Sequence, residues 1–249
     1  MFNNIPPVTK NLLILNVLFF IATLVLGSKG IDLTEILGTH YMGTVNFQPY
    51  QIVTYMFMHS PTNFMHILFN MLLLVMFGGH LERLWGAKRY FIFYIASGLG
   101  AFFLYNGVGF WHIIELKQMI VADGYDLTVL DHQIKEGALE RIQMHSANSQ
   151  IILQDYVNYT QSTMLGASGA VFGLLAGFGV LFPNTELMLI FPPIPIKAKF
   201  LIGGYIAFEV YNSFSQPGDS IAHLAHVGGA IVGIILVLIW RKKDRQNFY

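Results

Sequence analysis

Seven ionisable or polar side chains stand out in the long apolar stretches of this sequence. They are His66, Asn70, Glu82, Ser168, Glu209, His223 and His226. A polar group inside a bilayer is energetically costly, so each of them is by default a candidate for function. A serine hydroxyl and a neutral imidazole are among them. Brought together, these two groups form a nucleophile and its general base, the minimum that acyl transfer needs.

Two stripes of small residues predict that the serine and the histidine do come together. The stripes are Gly169, Gly173 and Gly177, and then Ala225, Gly229 and Gly233. Small residues at every fourth position let two helix backbones approach closely, so the two helices are expected to pack against each other. Ser168 directly precedes the first stripe and His226 follows the start of the second. Both residues are therefore expected about one helical turn below the outer surface.

Acyl transfer also needs hydrogen-bond donors for the oxyanion. His66 and Asn70, in "HILFN", are four residues apart and project from one face of a helix. Together with the backbone N–H of Ser168 at a helix start, they are candidates for that role. The residues alone leave two other interpretations open. His66 and Asn70 can simply link helices by hydrogen bonds, and Ser168 can simply pack.

The elements that position these residues are predicted to be membrane helices. The chain has 249 residues, of which 54% are hydrophobic and 11% charged, which indicates an all-α, polytopic integral membrane protein. We expect a single domain over residues 1–249 with six transmembrane helices. The approximate spans are 11–28, 63–82, 89–107, 164–182, 198–215 and 221–240, with an outer-side insertion at 108–162.

The insertion contains two stretches that are candidates for short amphipathic helices near the outer surface, "WHIIELKQMI" and "LDHQIKEGALERIQM". An ordinary solvated loop is the alternative interpretation.

A formal net charge of zero argues against a nucleic-acid partner, because such a surface needs an excess of Lys and Arg. The absence of cysteine excludes disulfides and thiolate chemistry.

The basic residues predict the orientation of the chain. With both termini in the cytoplasm, the inner side carries Lys10, Arg83, Lys88, Arg89, Lys197, Lys199, Arg241, Lys242, Lys243 and Arg245. The outer side carries Lys29, Lys117, Lys135 and Arg141. This bias follows the positive-inside rule and requires an even number of crossings, which six spans supply.

Three motifs taken together resemble the rhomboid family of intramembrane serine proteases. They are "HILFN", "GASGA" and "AHVGGAIVG", and the resemblance covers about residues 50–107 and 163–240. It implies a six-helix, rhomboid-like bundle. It also implies that Ser168 is the nucleophile and His226 its base, as a dyad without a carboxylate. The oxyanion is then expected to be bound by His66, Asn70 and the Ser168 N–H.

Further residues are expected to support this site, namely Gly166, Gly169, Phe172, Gly229 and Gly233. Phe172 stands where some relatives have a tyrosine, which keeps an aromatic platform for the histidine without its hydroxyl. Tyr50 and Gln51 stand where the first outer loop of the family often has a Trp-Arg pair. The resemblance further implies that the fifth helix and the loop after it, about residues 200–220, act as a gate.

The expected function is that of an intramembrane serine endopeptidase, which cleaves peptide bonds in or next to transmembrane helices of other membrane proteins. It needs no cofactor and no metal. Its expected partners are transmembrane protein substrates and the lipid bilayer. The sequence leaves the oligomeric state undecided, with a homo-oligomer as one alternative. A compact chain of six spans suits the bacterial cytoplasmic membrane, with the site open to the extracytoplasmic side.

The sequence favours other classes of function less. A catalytically silent rhomboid relative that binds or escorts membrane proteins is the main alternative. A metal-dependent protein using His59, His66, His223 and His226 lacks the HExxH pattern, and a transporter lacks an inverted repeat. Glu82 is expected to cap or bridge helices. Glu209 is expected to be protonated or bonded to a neighbouring helix, with a hidden role beside His226 as the minor interpretation.

Overall fold

The computed structural model describes residues 4–142, 146–188, 193–215 and 220–243, and most of them are helical. In chain order the α-helices are α1 Pro7–Gly27, α2 Leu33–Leu37, α3 Gln51–Thr54, α4 Phe64–Leu73, α5 Gly79–Trp85, α6 Ala87–Ala122, α7 Leu127–Lys135, α8 Ala147–Gln161, α9 Ser168–Leu181, α10 Ala198–Ser215 and α11 Ser220–Lys243. A π-helical turn, Leu74–Gly78, joins α4 and α5 into one continuous helix. Strands β1 Glu186–Met188 and β2 Pro195–Lys197 form an antiparallel pair between α9 and α10.

Within the described part of the chain, four helices are long and apolar enough to cross a membrane. They are Pro7–Gly27, Phe64–Trp85, Ala87–Ala122 and the last helix over His223–Lys243. Helix α9 is apolar but has only 14 residues, about 21 Å at 1.5 Å per residue. Every residue from Gly169 to Phe178 in α9 is buried. A helix enclosed in this way by its neighbours need not match the thickness of the lipid.

Helix α9 lies at the centre of the bundle, where it packs against α6 and α11, which also pack on each other. The contact with α11 is made by glycines. A Cβ atom on Gly229 would overlap the carbonyl oxygen of Gly169, and one on Gly233 would lie 2.6 Å from the carbonyl oxygen of Gly173. The two small-residue stripes therefore pack as predicted, with helix backbones in direct contact.

Glu82 ties the end of α5 to the start of α1. Its carboxylate accepts hydrogen bonds from the backbone N–H of Val8 at 2.8 Å and of Thr9 at 2.7 Å, and from the Thr9 hydroxyl at 2.8 Å. These are the free N–H groups in the first turn of α1, where a carboxylate also interacts favourably with the helix dipole. The prediction that Glu82 caps a helix is confirmed.

The outer insertion differs from the sequence prediction. The stretch "WHIIELKQMI" is not a separate short helix but part of α6, which continues to Ala122. In the second stretch, α7 ends at Lys135 and a single 3₁₀ turn follows at Leu139–Arg141. Helix α8 was not predicted. It is amphipathic only weakly along its sequence, yet it packs on the outer part of α6.

Helix α6 also supports the loop between α2 and α3. The ring of Tyr41 stacks on Tyr105 with centroids 4.2 Å apart, and it fills the space beside Gly109, where a Cβ would overlap it. The backbone N–H of Met42 donates to Asn106 Oδ1 at 2.7 Å. Through these contacts the loop is held against α6.

That loop in turn holds the segment before α9. The backbones of Thr39 and Met164 exchange two hydrogen bonds of 2.9 Å as an isolated antiparallel bridge. Residues 164–167 are extended or turn-like, so helix α9 begins at Ser168 and not at 164, where the fourth span was expected to start. The serine is thus the first residue of its helix.

The glycine contact between α9 and α11 gives a direct test of this packing. We expect Gly229→Ala to lower the free energy of unfolding by about 1–3 kcal/mol, because overfilling a close-packed contact forces the backbones apart. The measurement is thermal unfolding in detergent, followed by circular dichroism. Gly203→Ala is the matched control, since no atom lies within 4 Å of its added Cβ, and alanine favours a helix by about 1 kcal/mol. A Gly229→Ala protein as stable as the control would contradict the packing.

Candidate active site

A cavity of about 550 Å³ opens beside the start of α9, and four of the seven polar residues singled out in the sequence line it. Its walls include Ser168, His226, His66 and Asn70, which come from three different helices. Gly166, Gly169 and Phe172 also line it. Of the predicted support residues, Gly229 and Gly233 lie outside the cavity wall and act through the helix contact described above.

Ser168 is placed by the turn that precedes it. Gly166 has a φ of 130°, a conformation that residues with a side chain rarely adopt. Its N–H donates to the carbonyl oxygen of Tyr55 at 3.0 Å, and the Tyr55 hydroxyl donates to the carbonyl of Gly98 in α6 at 2.7 Å. The turn is therefore tied to α6 and directs the chain into α9 at Ser168.

The N-terminus of α9 has no side-chain cap. The N-cap position is Ala167, whose methyl group cannot accept a hydrogen bond from the first N–H groups of the helix. Ser168 itself is partly exposed, at the cavity wall. Ser168 and Gly169, the first residues of the helix, line the cavity, so the positive end of the helix dipole lies beside it.

His226 is held on two sides. Its ring lies flat on Phe172, with centroids 4.2 Å apart and planes 9° apart. Its Nδ1 atom lies 2.8 Å from Glu209 Oε2. The residue before His226 also faces the residue after Ser168, because a Cβ on Gly169 would lie 3.6 Å from the carbonyl oxygen of Ala225. The two helices therefore bring the serine and the histidine to the same depth.

His66 and Asn70 lie across the cavity on α4. His66 Nδ1 accepts a hydrogen bond from the Ser60 N–H at 3.4 Å, which leaves the ring proton on Nε2. That Nε2 atom faces the turn before the serine, since a Cβ on Gly166 would lie 2.9 Å from it. Asn70 donates through Nδ2 to the carbonyl of His66 at 2.8 Å. An amide nitrogen has two N–H groups, and this bond uses one of them.

A third histidine, His59, packs against the ring of His66. Its ring centroid lies 5.0 Å from that of His66. Burial, and secondarily the neighbouring His66, lowers the pKa of His59 to about 3. The His59 ring is therefore neutral at any physiological pH, and it packs against His66 without repelling it.

The structure adds a carboxylate to the group. Glu209 Oε2 lies 2.8 Å from His226 Nδ1 and 2.6 Å from His223 Nδ1. These three ligand atoms lie within 4.8 Å of one another, which also makes them a group that could hold a metal ion. The expectation that Glu209 bonds to a neighbouring helix is confirmed. Its position beside His226 depends on how α10 turns against α11, which residue spacing does not reveal.

The fold and the cavity together define a polytopic helical membrane protein with a serine, a histidine and hydrogen-bond donors gathered at the N-terminal end of its central helix, α9. The Rhomboid domain family matches residues 46–113 and 141–243, more than half of the chain. The chain therefore belongs to the rhomboid family, as its motifs predicted, and the predicted helical membrane bundle is confirmed. The unmatched residues 114–140 include the outer end of α6 and the whole of α7.

A shorter similarity links the chain to a curated protein. A segment of 76 residues is 34% identical to rhomboid protein 1, mitochondrial, from Saccharomyces cerevisiae. The segment makes up 28% of this chain and 20% of that protein. Because the match spans only a fifth of the relative, it bears on family membership and not on activity.

The turn before Ser168 yields a prediction about the geometry of the cavity. We expect Gly166→Ala to destabilise the protein by about 1–3 kcal/mol, because alanine is strained at a φ of 130° and its Cβ would press on His66. The measurement is the fraction of dodecyl sulfate in mixed micelles that unfolds half of the protein. Gly107→Ala in α6 serves as the control, since its added Cβ has no neighbour within 4 Å. Equal midpoints for the two variants would show that Gly166 is not required for the turn.

Proposed function

We propose that this protein is an intramembrane serine endopeptidase that hydrolyses peptide bonds in or next to transmembrane helices of other membrane proteins. One observation supports the proposal most. Ser168, the first residue of the central helix, lines the same cavity as His226, whose ring is fixed flat against Phe172. Family membership supports it as well, although the rhomboid superfamily also includes inactive proteins.

Ser168 is the proposed nucleophile and His226 its general base. The imidazole Nε2 takes the hydroxyl proton as the Ser168 oxygen attacks the scissile carbonyl carbon. The same nitrogen then gives that proton to the leaving amine, and an acyl-enzyme remains on the serine. Water, activated by His226 in the same way, releases the acid and restores the serine. The stacking on Phe172 holds the ring in position through all of these steps.

The negative charge on the tetrahedral intermediate needs donors at the carbonyl oxygen. The proposed donors are the backbone N–H of Ser168, the Nε2–H of His66 and the free N–H of Asn70. Two features of the site support these roles. Ala167 leaves the helix start uncapped, and the Ser60 contact directs the His66 proton toward the cavity side. Donors that are fixed before the reaction lower its barrier without reorganisation.

The proposed substrate is a helix that reaches the cavity from the lipid. Residues of α4 and of α10 line the cavity, among them Phe69 and Tyr205, and both of these are also half exposed on the surface. A helical carbonyl is already hydrogen-bonded, so the segment to be cut has to unwind first. Substrates are therefore expected to have Gly, Ala, Ser or Pro near their outer end. Part of the expected gate, residues 216–219, lies outside the described residues.

The proposed location is the cytoplasmic membrane of a bacterium, with both termini inside and the cavity open to the outside. The support for this orientation is the distribution of basic residues, with the cluster in the last turn of α11 on the inner side. Hydrolysis of the acyl-enzyme on Ser168 requires water, and the outer end of the bundle supplies it in this orientation.

The proposal predicts cleavage of a designed single-pass protein in proteoliposomes. Its polyleucine helix carries a Gly-Ala-Ser interruption near the outer end, and the uninterrupted helix is the substrate control. We expect Ser168→Ala and His226→Ala each to reduce the cleavage rate by at least about 1,000-fold, because the nucleophile and its base act as a unit. Ser213→Ala is the matched enzyme control, since within the described residues that hydroxyl bonds the carbonyl of Val210 in its own helix and no other group.

The outcome also separates this function from the main alternative. Cleavage that survives Ser168→Ala would contradict the proposed nucleophile. Tight binding of the interrupted helix without cleavage, by a folded wild-type protein, would favour a catalytically silent protein that binds or escorts membrane proteins.

A further inference from the structure

Glu209 is a buried carboxylate that the serine–histidine mechanism does not use. It lies in α10 and is 3% exposed. An ionisable group that is this buried in a membrane protein is costly unless its hydrogen bonds are satisfied. Its Oε2 atom has two partners on α11, which are His226 at 2.8 Å and His223 at 2.6 Å. Both contacts are made through the Nδ1 atom of the histidine.

The contact with His226 engages the nitrogen that is not needed as the base. An imidazole has one ring nitrogen that carries the proton and one that accepts. A carboxylate can only accept, so a hydrogen bond at Nδ1 places the ring proton on that nitrogen. The lone pair is then on Nε2, at the other end of the ring. Stacking on Phe172 fixes the plane of the ring, and the carboxylate fixes its rotation within that plane.

We propose that Glu209 is a positioning residue that holds His226 in the Nδ1–H tautomer and orients it, so that a carboxylate, a histidine and a serine act in line. The inference rests on the proposed function for the serine step. It makes the site a three-residue arrangement, in place of the dyad that the family resemblance implies.

The proposed role has a clear chemical consequence. When the proton of Ser168 moves to Nε2, the ring becomes a cation, and the Nδ1–H hydrogen bond to Glu209 becomes an ion pair. The proton goes on to the leaving amine, so the ring returns to its neutral state and Glu209 stays ionised throughout. A charge-assisted hydrogen bond in a site of low dielectric is stronger in the cationic state than in the neutral one. The carboxylate therefore stabilises the transition state more than the ground state.

His223 shares the same carboxylate oxygen and lies nearly perpendicular to His226, at 81° with centroids 6.4 Å apart. Its side chain is 15% exposed, against 4% for Glu209. His223 therefore suits the role of a residue that hydrogen-bonds the Glu209 carboxylate on its more exposed side. Loss of His223 leaves the bond between Glu209 and His226 in place, so its removal is expected to have the smaller effect.

The first experiment reads the tautomer directly and does not depend on protease activity. The full-length protein, labelled with ¹⁵N-histidine, is studied by NMR in detergent micelles at about pH 8.5, where an ordinary histidine is neutral. The His226 signals are identified by their loss in His226→Asn. We expect the wild-type ring to carry its proton on Nδ1 and the Glu209→Ala protein to lose that preference. Glu82→Gln, which alters another buried carboxylate, should leave the His226 signals unchanged even where it lowers stability.

The second experiment measures cleavage of the interrupted polyleucine substrate in proteoliposomes. We expect Glu209→Gln to lower kcat by roughly 10- to 100-fold, the range for one hydrogen bond to a charged group. KM should change by no more than about 2-fold, because the bond strengthens only in the transition state. Glu209→Asp keeps the carboxylate and should recover part of the loss, and His223→Asn should lose less than Glu209→Gln.

Several results would overturn the proposal. A wild-type His226 that carries its proton on Nε2 would do so, as would a Glu209→Gln enzyme with unchanged kcat. A Nδ1 proton that appears only after a chelator is added would mean that a metal ion, not a hydrogen bond, joins Glu209 to His226. If wild-type protein does not cleave the substrate, the proposed function fails, while the tautomer of the wild-type and Glu209→Ala proteins still decides whether Glu209 positions the ring.

Discussion

The backbone contact between α9 and α11 is the constraint on which the rest of the site depends. Lipid tails are as apolar as leucine side chains, so membrane helices gain little from hiding apolar surface and associate through close packing instead. Gly169 and Gly229 meet with no room for a methyl group between them. Ser168 precedes the first of these glycines, and His226 lies one helical turn before the second. The contact that joins the helices thus also sets the separation of the proposed nucleophile and base.

A second set of contacts holds the chain before α9 and leaves the first N–H groups of that helix without a capping side chain. The bridge between Thr39 and Met164 and the bond from Gly166 to Tyr55 hold the preceding chain in a turn. The helix therefore begins at Ser168, without a capping side chain to occupy its first N–H groups. Helix α6 supports the loop that contains Thr39, because Tyr105 of α6 stacks on Tyr41. This loop, which does not carry the proposed catalytic residues, thereby helps to set the position of the proposed oxyanion donors.

The residues of the cavity could be predicted from the sequence because short patterns of neighbouring residues mark them. The small-residue stripes predict which helices touch, and the spacing of His66 and Asn70 places both on one face. Two features had no local signal. Helix α6 continues past its apolar part because its outer end packs on α8 and the first loop, and such tertiary packing does not appear as hydrophobic periodicity. Glu209 reaches His226 because of the rotation of α10 against α11, although its cost inside a membrane had marked it as a candidate.

The central claim is that Ser168 is an activated nucleophile, and labelling with a fluorophosphonate tests it most directly. Detergent-purified protein is treated with the reagent, and the adduct is mapped by mass spectrometry, with a known rhomboid protease treated in parallel as a positive control. We expect an adduct on Ser168 of the wild-type protein that is absent in both Ser168→Ala and His226→Ala. A folded wild-type protein that stays unlabelled, while the positive control reacts, would contradict it.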